Sequence, residues 1–340
     1  MRTIRAVTHT LALAIALALL AIAPAPARAQ SVFKIATLAP EGSSWMKLFH
    51  ELAANLEKKT NGRVKVKFFA GGVQGDERDA VRKMRGGTIN GAAVTGVGLG
   101  LINAEVRLLE LPGLFTSDAE LDFVRSTLSD EFQKKFNEKG YVLLGWGDVG
   151  WIYIYSNSPV KSREDIQKLK IWAWTDDPLV RALFKNLNVQ GVPLGVPDVL
   201  PSLQTGLIDA CYGSPLALVA LQWFTKVKYM TSQPMSVGVG ATVLLKKDFD
   251  ALSKDDQKVL VEEGKTLQVK VIETVRKDNE RALSKMKSLG LQVVPTPQAL
   301  VDDIRKQSMQ VWDDLAGKMY SKEWLERVKK IVADYRKSHT

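Results

Sequence analysis

The chain has 340 residues, 46% of them hydrophobic and 25% charged, with a formal net charge of +10. That length and apolar content supply a large core, most simply two domains, and exclude a disordered chain. The basic balance does not indicate nucleic acid: lysines and arginines alternate with acids on helical stretches such as 273–287, and no basic cluster carries interleaved aromatics.

Residues 1–29 stand apart. Arg2 and Arg5 precede a uniformly apolar run from Leu11 to Ala23, and Ala27-Arg28-Ala29 fits a small-residue cleavage site. The pattern predicts a signal peptide cleaved near Ala29 and an exported, periplasmic protein; an uncleaved anchor is the competing reading. That segment holds three arginines and no acid, which leaves +7 for the rest, a charge suited to solubility or to docking on a membrane partner. Cys211 is the only cysteine, so no lipid-accepting cysteine lies at the cleavage site and no internal disulfide can form.

Phe33 to Thr37 reads as a first strand. Ser43 and Ser44 then cap a helix in which Trp45, Leu48, Phe49, Leu52, Ala53 and Leu56 recur at helical spacing until Asn61-Gly62. Val64, Val66 and Phe68 alternate with lysines as in a half-buried strand, followed by a helix over 76–85 and a strand over 89–94. Gly96, Gly98 and Gly100 come next without Gly-Lys-Ser or Gly-Lys-Thr, which excludes a P-loop and predicts an open loop. Residues 118–140 form one or two amphipathic helices. A strand over 141–146 runs into Gly145-Trp146-Gly147-Asp148-Val149-Gly150, a GxGxxG followed by a β-like run at 151–155 instead of the helix a dinucleotide site requires.

A short helix at 162–168 leads into an α/β unit over 168–215. Its parts are a strand at 170–174, a helix opened by Asp177-Pro178, a strand through Val192, a helix with Pro201 in its first turn, and a turn at 212–215. Helix over 216–224 and strand over 237–245 follow. A helical pattern then persists from Ser253 to Leu289, with a kink expected near Gly264, before a last strand at 291–294 and helices from 296 and 321.

The strand-helix-strand-helix order of 168–215, with "LQTG" before Asp209 and a proline turn, resembles the solute-binding proteins of tripartite ATP-independent periplasmic (TRAP) transporters, the DctP-type family. "FKIATLAPEGSSWMKLF" from Phe33, "GGVQGDERDAVRKMRGGTING" from Gly71 and "LLELPGLF" from Leu108 extend the resemblance over nearly the whole chain beyond the leader. It implies an α/β, two-lobed periplasmic-binding-protein fold (type II-like) with crossing strands and a long lobe-spanning helix. The lobes fall at 31–149 plus 239–281 and at 150–238 plus 282–340. It also implies a binder without cofactor that closes over a small-molecule ligand and delivers it to TRAP membrane permease subunits.

One departure bears on the ligand. Where this family usually reads Leu-Lys-Ile-Arg-Val, with the arginine clamping a carboxylate, the chain reads Leu169-Lys170-Ile171-Trp172-Ala173. A second family arginine falls at Ile152, and the Gln-Glu-Asn-Pro pattern becomes Cys211-Tyr212-Gly213-Ser214-Pro215. The chain is similar to a branch lacking the clamp arginine, which implies hydrophobic ligands and a tetratricopeptide-repeat periplasmic partner.

The expected site has Trp172, Trp174, Trp146, Trp151 and Tyr212 as an apolar wall and Thr95 and Ser214 as polar orienters. Trp45 faces the cleft from a first helical turn. Core packing is the alternative for each aromatic alone. Stranding one partner of a desolvated arginine-carboxylate pair costs roughly 2–5 kcal/mol. A tryptophan contributes on the order of 1–3 kcal/mol of apolar contact, so the exchange favours a hydrophobic or weakly charged ligand. Two rivals remain: an organic acid such as a dicarboxylate, held by Arg125, Arg163 or Arg181, and a ligand-sensing interaction protein without transport. Catalysis has few candidates. His9, His50 and His339 are scattered, Cys211 has no evident partner, and no metal-binding spacing occurs; Asp176-Asp177 reads as a helix start.

Overall fold

The computed structural model describes residues 30–175 and 177–339; the segment to Ala29, with the expected signal peptide, lies outside the described residues. β1 (Ser31–Thr37) leads to α1 (Ser44–Lys59), which starts where the Ser43 hydroxyl accepts the Met46 N–H and buries Met46, Phe49, Leu52 and Leu56. β2 (Val64–Phe69) and α2 (Glu77–Arg85) follow, the latter opened by an Asp76/Asp79 capping box.

Next come β3 (Gly91–Thr95) and α3 (Gly96–Ile102). The expected open loop is therefore a helix, capped by Thr95, whose glycines let neighbours sit against its backbone: a Cβ at Gly96 would meet the Glu110 carboxylate at 2.0 Å. A 3₁₀ turn (Ala104–Glu110), α4 (Asp118–Thr127) and α5 (Ser129–Glu138) lead to β4 (Tyr141–Ser156). β4 is one strand where the sequence reads as two.

Then follow α6 (Arg163–Lys168), β5 (Trp172–Trp174), α7 (Pro178–Leu187), β6 (Val192–Leu194) and α8 (Val196–Thr205). α8 begins at Val196, earlier than expected, so Pro201 lies inside it and withdraws one backbone donor from its ladder. β7 (Ala210–Gly213) replaces the expected turn, because these residues pair with β4 from Tyr153 to Ser156. α9 (Pro215–Ala220), a 3₁₀ turn (Trp223–Lys226), β8 (Tyr229–Thr231), β9 (Ser236–Leu245) and α10 (Lys246–Asp250) come next. α11 (Lys254–Ser288), β10 (Gln292–Val294), α12 (Gln298–Leu315) and α13 (Lys322–Ser338) close the chain.

The main sheet has the order β10-β8-β4-β9-β3-β1-β2, with β7 also on β4; β5 and β6 form a separate parallel pair tied to β7 through Ile171 and Ala210. β4 pairs with β9 from Tyr141 to Ile152 and then turns to β7 and β8. Register shifts at Leu143/Gly145 and Asp148/Gly150 bend it on the way. β4 and β9 are the crossing strands. The expected long helix is α11, thirty-five residues packed on α1, β4 and α9. Gly264 within it marks a close approach: a Cβ there would lie 2.3 Å from the Leu144 carbonyl oxygen. One core joins α1, β1 and α11 through Phe33, Met46, Leu56, Leu260 and Val275, and a second runs from Leu121 and Phe132 to Trp172, Leu183 and Tyr212.

Candidate ligand-binding cavity

Short strands put aromatic rings at one place. Trp172 and Trp174 are two apart on β5, so both project to the same face, and their rings lie 5.8 Å apart. Tyr212 on β7 lies nearly parallel to Trp172 at 4.6 Å, and Trp223 meets Trp172 edge-on at 5.2 Å. The polar ends are satisfied within the protein: Trp172 Nε1 donates to the Leu194 carbonyl at 2.9 Å, and the Tyr212 hydroxyl accepts the Trp174 N–H at 3.0 Å. These rings, with Trp45, Trp146, Ile152 and Leu183, line a cavity of about 220 Å³. Trp45 reaches it from the first turn of α1 and donates Nε1 to the Asp148 carbonyl at 3.2 Å.

The described lining residues include one cation, Arg107, and four acids, Glu77, Glu110, Asp148 and Asp177. Arg107, 3% exposed, sits on the 3₁₀ turn with Nε 2.8 Å from Glu110 and Nη2 2.9 Å from Asp177. The Glu110 contact is an ion pair without the alignment of a hydrogen bond, since Nε has no hydrogen-bond partner. Burial opposes the guanidinium charge, but Asp177 and Glu110 outweigh it and raise the pKa. Glu110 is raised because burial dominates over the pull of Arg107, and its Oε1 also accepts the Val239 N–H at 2.8 Å. Asp177 closes α7 by accepting the Leu179 N–H at 2.9 Å.

Glu77 is buried under α3. It accepts the Thr95 N–H at 2.7 Å, the Thr95 hydroxyl at 2.9 Å and the Gly98 N–H at 2.6 Å. Burial nevertheless outweighs these hydrogen bonds and pushes its pKa up to about 8. Asp148 is held by Arg125 at 2.7 Å and Arg276 at 2.8 Å, and both arginines also reach Asp122.

Six of the eight expected residues line this cavity: Trp172, Trp174, Trp146, Tyr212, Thr95 and Trp45. Trp151 is not among them; it faces Asp118, to which its Nε1 donates at 2.9 Å. Ser214 does not line it either: it is fully buried, with its hydroxyl closing α9 by accepting the Ala217 N–H. Thr95 lines the cavity, but its hydroxyl is spent on Glu77 and the Val97 N–H. Of the rival cations, Arg125 is committed to Asp148 and Asp122, Arg163 to Asp303, and Arg181 to the Thr175 carbonyl; none lines the cavity. Arg107, Glu110 and Trp223 are residues that sequence reasoning misses. The available signal is Arg107 and Glu110 three apart just after the glycines that make room for them. Cys211 is fully buried and burial pushes its thiol well above the usual range, which makes it an inert core residue.

The model of DctP, the bacterial extracellular solute-binding protein family 7, matches residues 35–322. The 2,3-diketo-L-gulonate-binding periplasmic protein of Escherichia coli is 26% identical over 251 residues, 73% of this chain and 75% of that one. Among solved structures, the sugar acid binding protein of Advenella mimigardefordensis in complex with galactonate superposes with a TM-score of 0.84 at 20% identity, covering 90% of this chain and 99% of that one. A TRAP periplasmic solute-binding protein from Citrobacter koseri with bound D-glucuronate gives 0.81 at 24% identity, over 90% and 99% of the two chains.

Proposed function

This chain belongs to the DctP family of TRAP-transporter solute-binding proteins, and we propose that it captures a hydrophobic or weakly charged organic ligand between its lobes. One observation carries this reading: Trp172, stacked on Tyr212 and met edge-on by Trp223, lines a cavity whose only cation among the described lining residues is held between Glu110 and Asp177. A ligand carboxylate entering there meets a guanidinium whose charge Glu110 and Asp177 already balance, so it gains little net attraction for the desolvation it pays. An apolar ligand meets no such obstacle. Burying about 150 Å² of its surface returns roughly 4 kcal/mol. A cavity of roughly 150 Å³ accepts benzene, so about 220 Å³ suits a ring with a short substituent.

The lobes are proposed as 31–149 plus 239–281 and 150–238 plus 282–340, a division supported by β4 and β9 sharing their long pairing up to Ile152 and Ser236. Export with cleavage near Ala29, delivery to TRAP permease subunits without catalysis, and a tetratricopeptide-repeat partner belong to the same proposal. An organic acid is the second reading. Arg107 in the cavity favours it, as does the name of the Escherichia coli relative.

Paired probes separate the two. Phenylacetamide and hexanamide are titrated against phenylacetate and hexanoate, with tryptophan fluorescence as the readout. The proposal expects each amide to bind at least about ten-fold tighter than its acid, with little change between about 0.05 and 0.5 M salt. Tighter, salt-sensitive binding of the acids sinks it.

A further inference from the structure

Asp76 closes two helices at once. Its Oδ1 accepts the Glu77 N–H at 2.8 Å at the start of α2. Its Oδ2 accepts the Trp174 indole N–H at 2.8 Å and the Val196 N–H at 3.1 Å. Val196 opens α8, a ten-residue helix whose own cap, Gly195, has no side chain to offer. The missing cap therefore comes from another part of the molecule: α2 packs on β1, β3 and α3, whereas Trp174 ends β5 and Val196 follows β6 in the separate β5–β6 pair. Trp174 and Val196 both line the cavity, so this carboxylate spans its edge.

Two further features favour this contact. Gly195 leaves room for it, since a Cβ there would lie 2.8 Å from Oδ2. The segment between β5 and α7 is also gripped at its other end, where Arg107 from the 3₁₀ turn meets Asp177 at 2.9 Å. A negative charge at a helix N-terminus, with an indole N–H beside it, is a strong charge-assisted contact.

We propose that Asp76 is the positioning residue that holds the two lobes closed, its carboxylate supplying the cap that α8 lacks. Closure then draws on a contact internal to the chain and does not depend on ligand charge. The inference rests on the two-lobed family fold and not on the polarity of the ligand, so each can fail without the other.

Asn is the informative replacement. It caps α2 as well as Asp does, but with its oxygen on Glu77 its NH₂ faces two N–H donors. Gly195→Ala obstructs the same contact from the opposite side, on a backbone (φ −76°) that accepts alanine. Spin labels at Val73→Cys and Leu207→Cys, positions 71% and 53% exposed, report the separation by pulsed dipolar spectroscopy on the full chain without added ligand. Cys211 is buried and stays unlabelled. In both Asp76→Asn and Gly195→Ala the ratio of long to short distances is expected to rise about ten-fold over the labelled parent. A distribution unchanged from the parent in Asp76→Asn, in protein that melts as cooperatively, overturns the proposal.

Discussion

Arg107 lies 2.9 Å from Asp177, a partner seventy residues further along the chain. In sequence it is one base between two acids in "AEVRLLE", no different from a solvent-facing cluster, and its pairing with Asp177 leaves no local trace. Arg125, Arg163 and Arg181 look equally available until their own carboxylate and carbonyl partners are seen. Trp172 and Trp174 were legible as a pair because period-two alternation on a short strand fixes the face, whereas Tyr212 was placed in a turn and lies on β7. Replacing Arg107 by Met leaves Glu110 and Asp177 buried without their cation, so urea denaturation is expected to show a loss of roughly 3–5 kcal/mol. A loss under about 1 kcal/mol, the value of a solvated pair, contradicts the burial described. Glu77 supplies a pH test. Its folded pKa of about 8 lies above the ordinary value of 4.5, so in that window the folded state holds more protons and stability falls as pH rises. Glu77→Gln removes this contribution. The unfolding free energy of the variant minus that of the parent should therefore move in favour of the variant from about pH 5 to about pH 8; a pH-independent difference refutes the assignment.

At the scale of elements, helices with a serine or aspartate cap and a clear apolar stripe were readable to within a residue or two, α1, α2, α11 and α13 among them. β9 was too, despite Gly238 and Gly240, but β4 was not. β4 reads as two runs because Gly145, Gly147 and Gly150 interrupt its pattern, yet tertiary contacts account for these glycines. Gly145 faces the Gly264 carbonyl of α11, and Gly150 adopts φ +108° beneath Asn279. α3 was hidden the same way, its glycines serving close approach and not looseness. Gly264→Ala distinguishes packing from tolerance. Alanine in an unconstrained helix interior gains up to about 1 kcal/mol over glycine. Here its Cβ would meet the Leu144 oxygen at 2.3 Å, and a net loss of about 1–3 kcal/mol is expected in thermal or urea denaturation. Stabilisation by the variant would show that α11 does not press on β4 this closely.

For the molecule as a whole, the α/β class, the crossing strands and the long helix follow from the order of elements and from the family resemblance. The charge distribution in the cleft does not, because it depends on which side chains the fold brings across from distant segments. On the reading proposed above, the aromatic cavity and the self-neutralised Arg107 together set what the protein takes up. Native mass spectrometry of the protein, purified gently from the cells that make it, reads that out without choosing a ligand beforehand. A retained molecule with an aromatic or aliphatic body and at most weak charge is expected. A stoichiometric dicarboxylate or sugar acid in its place contradicts that reading.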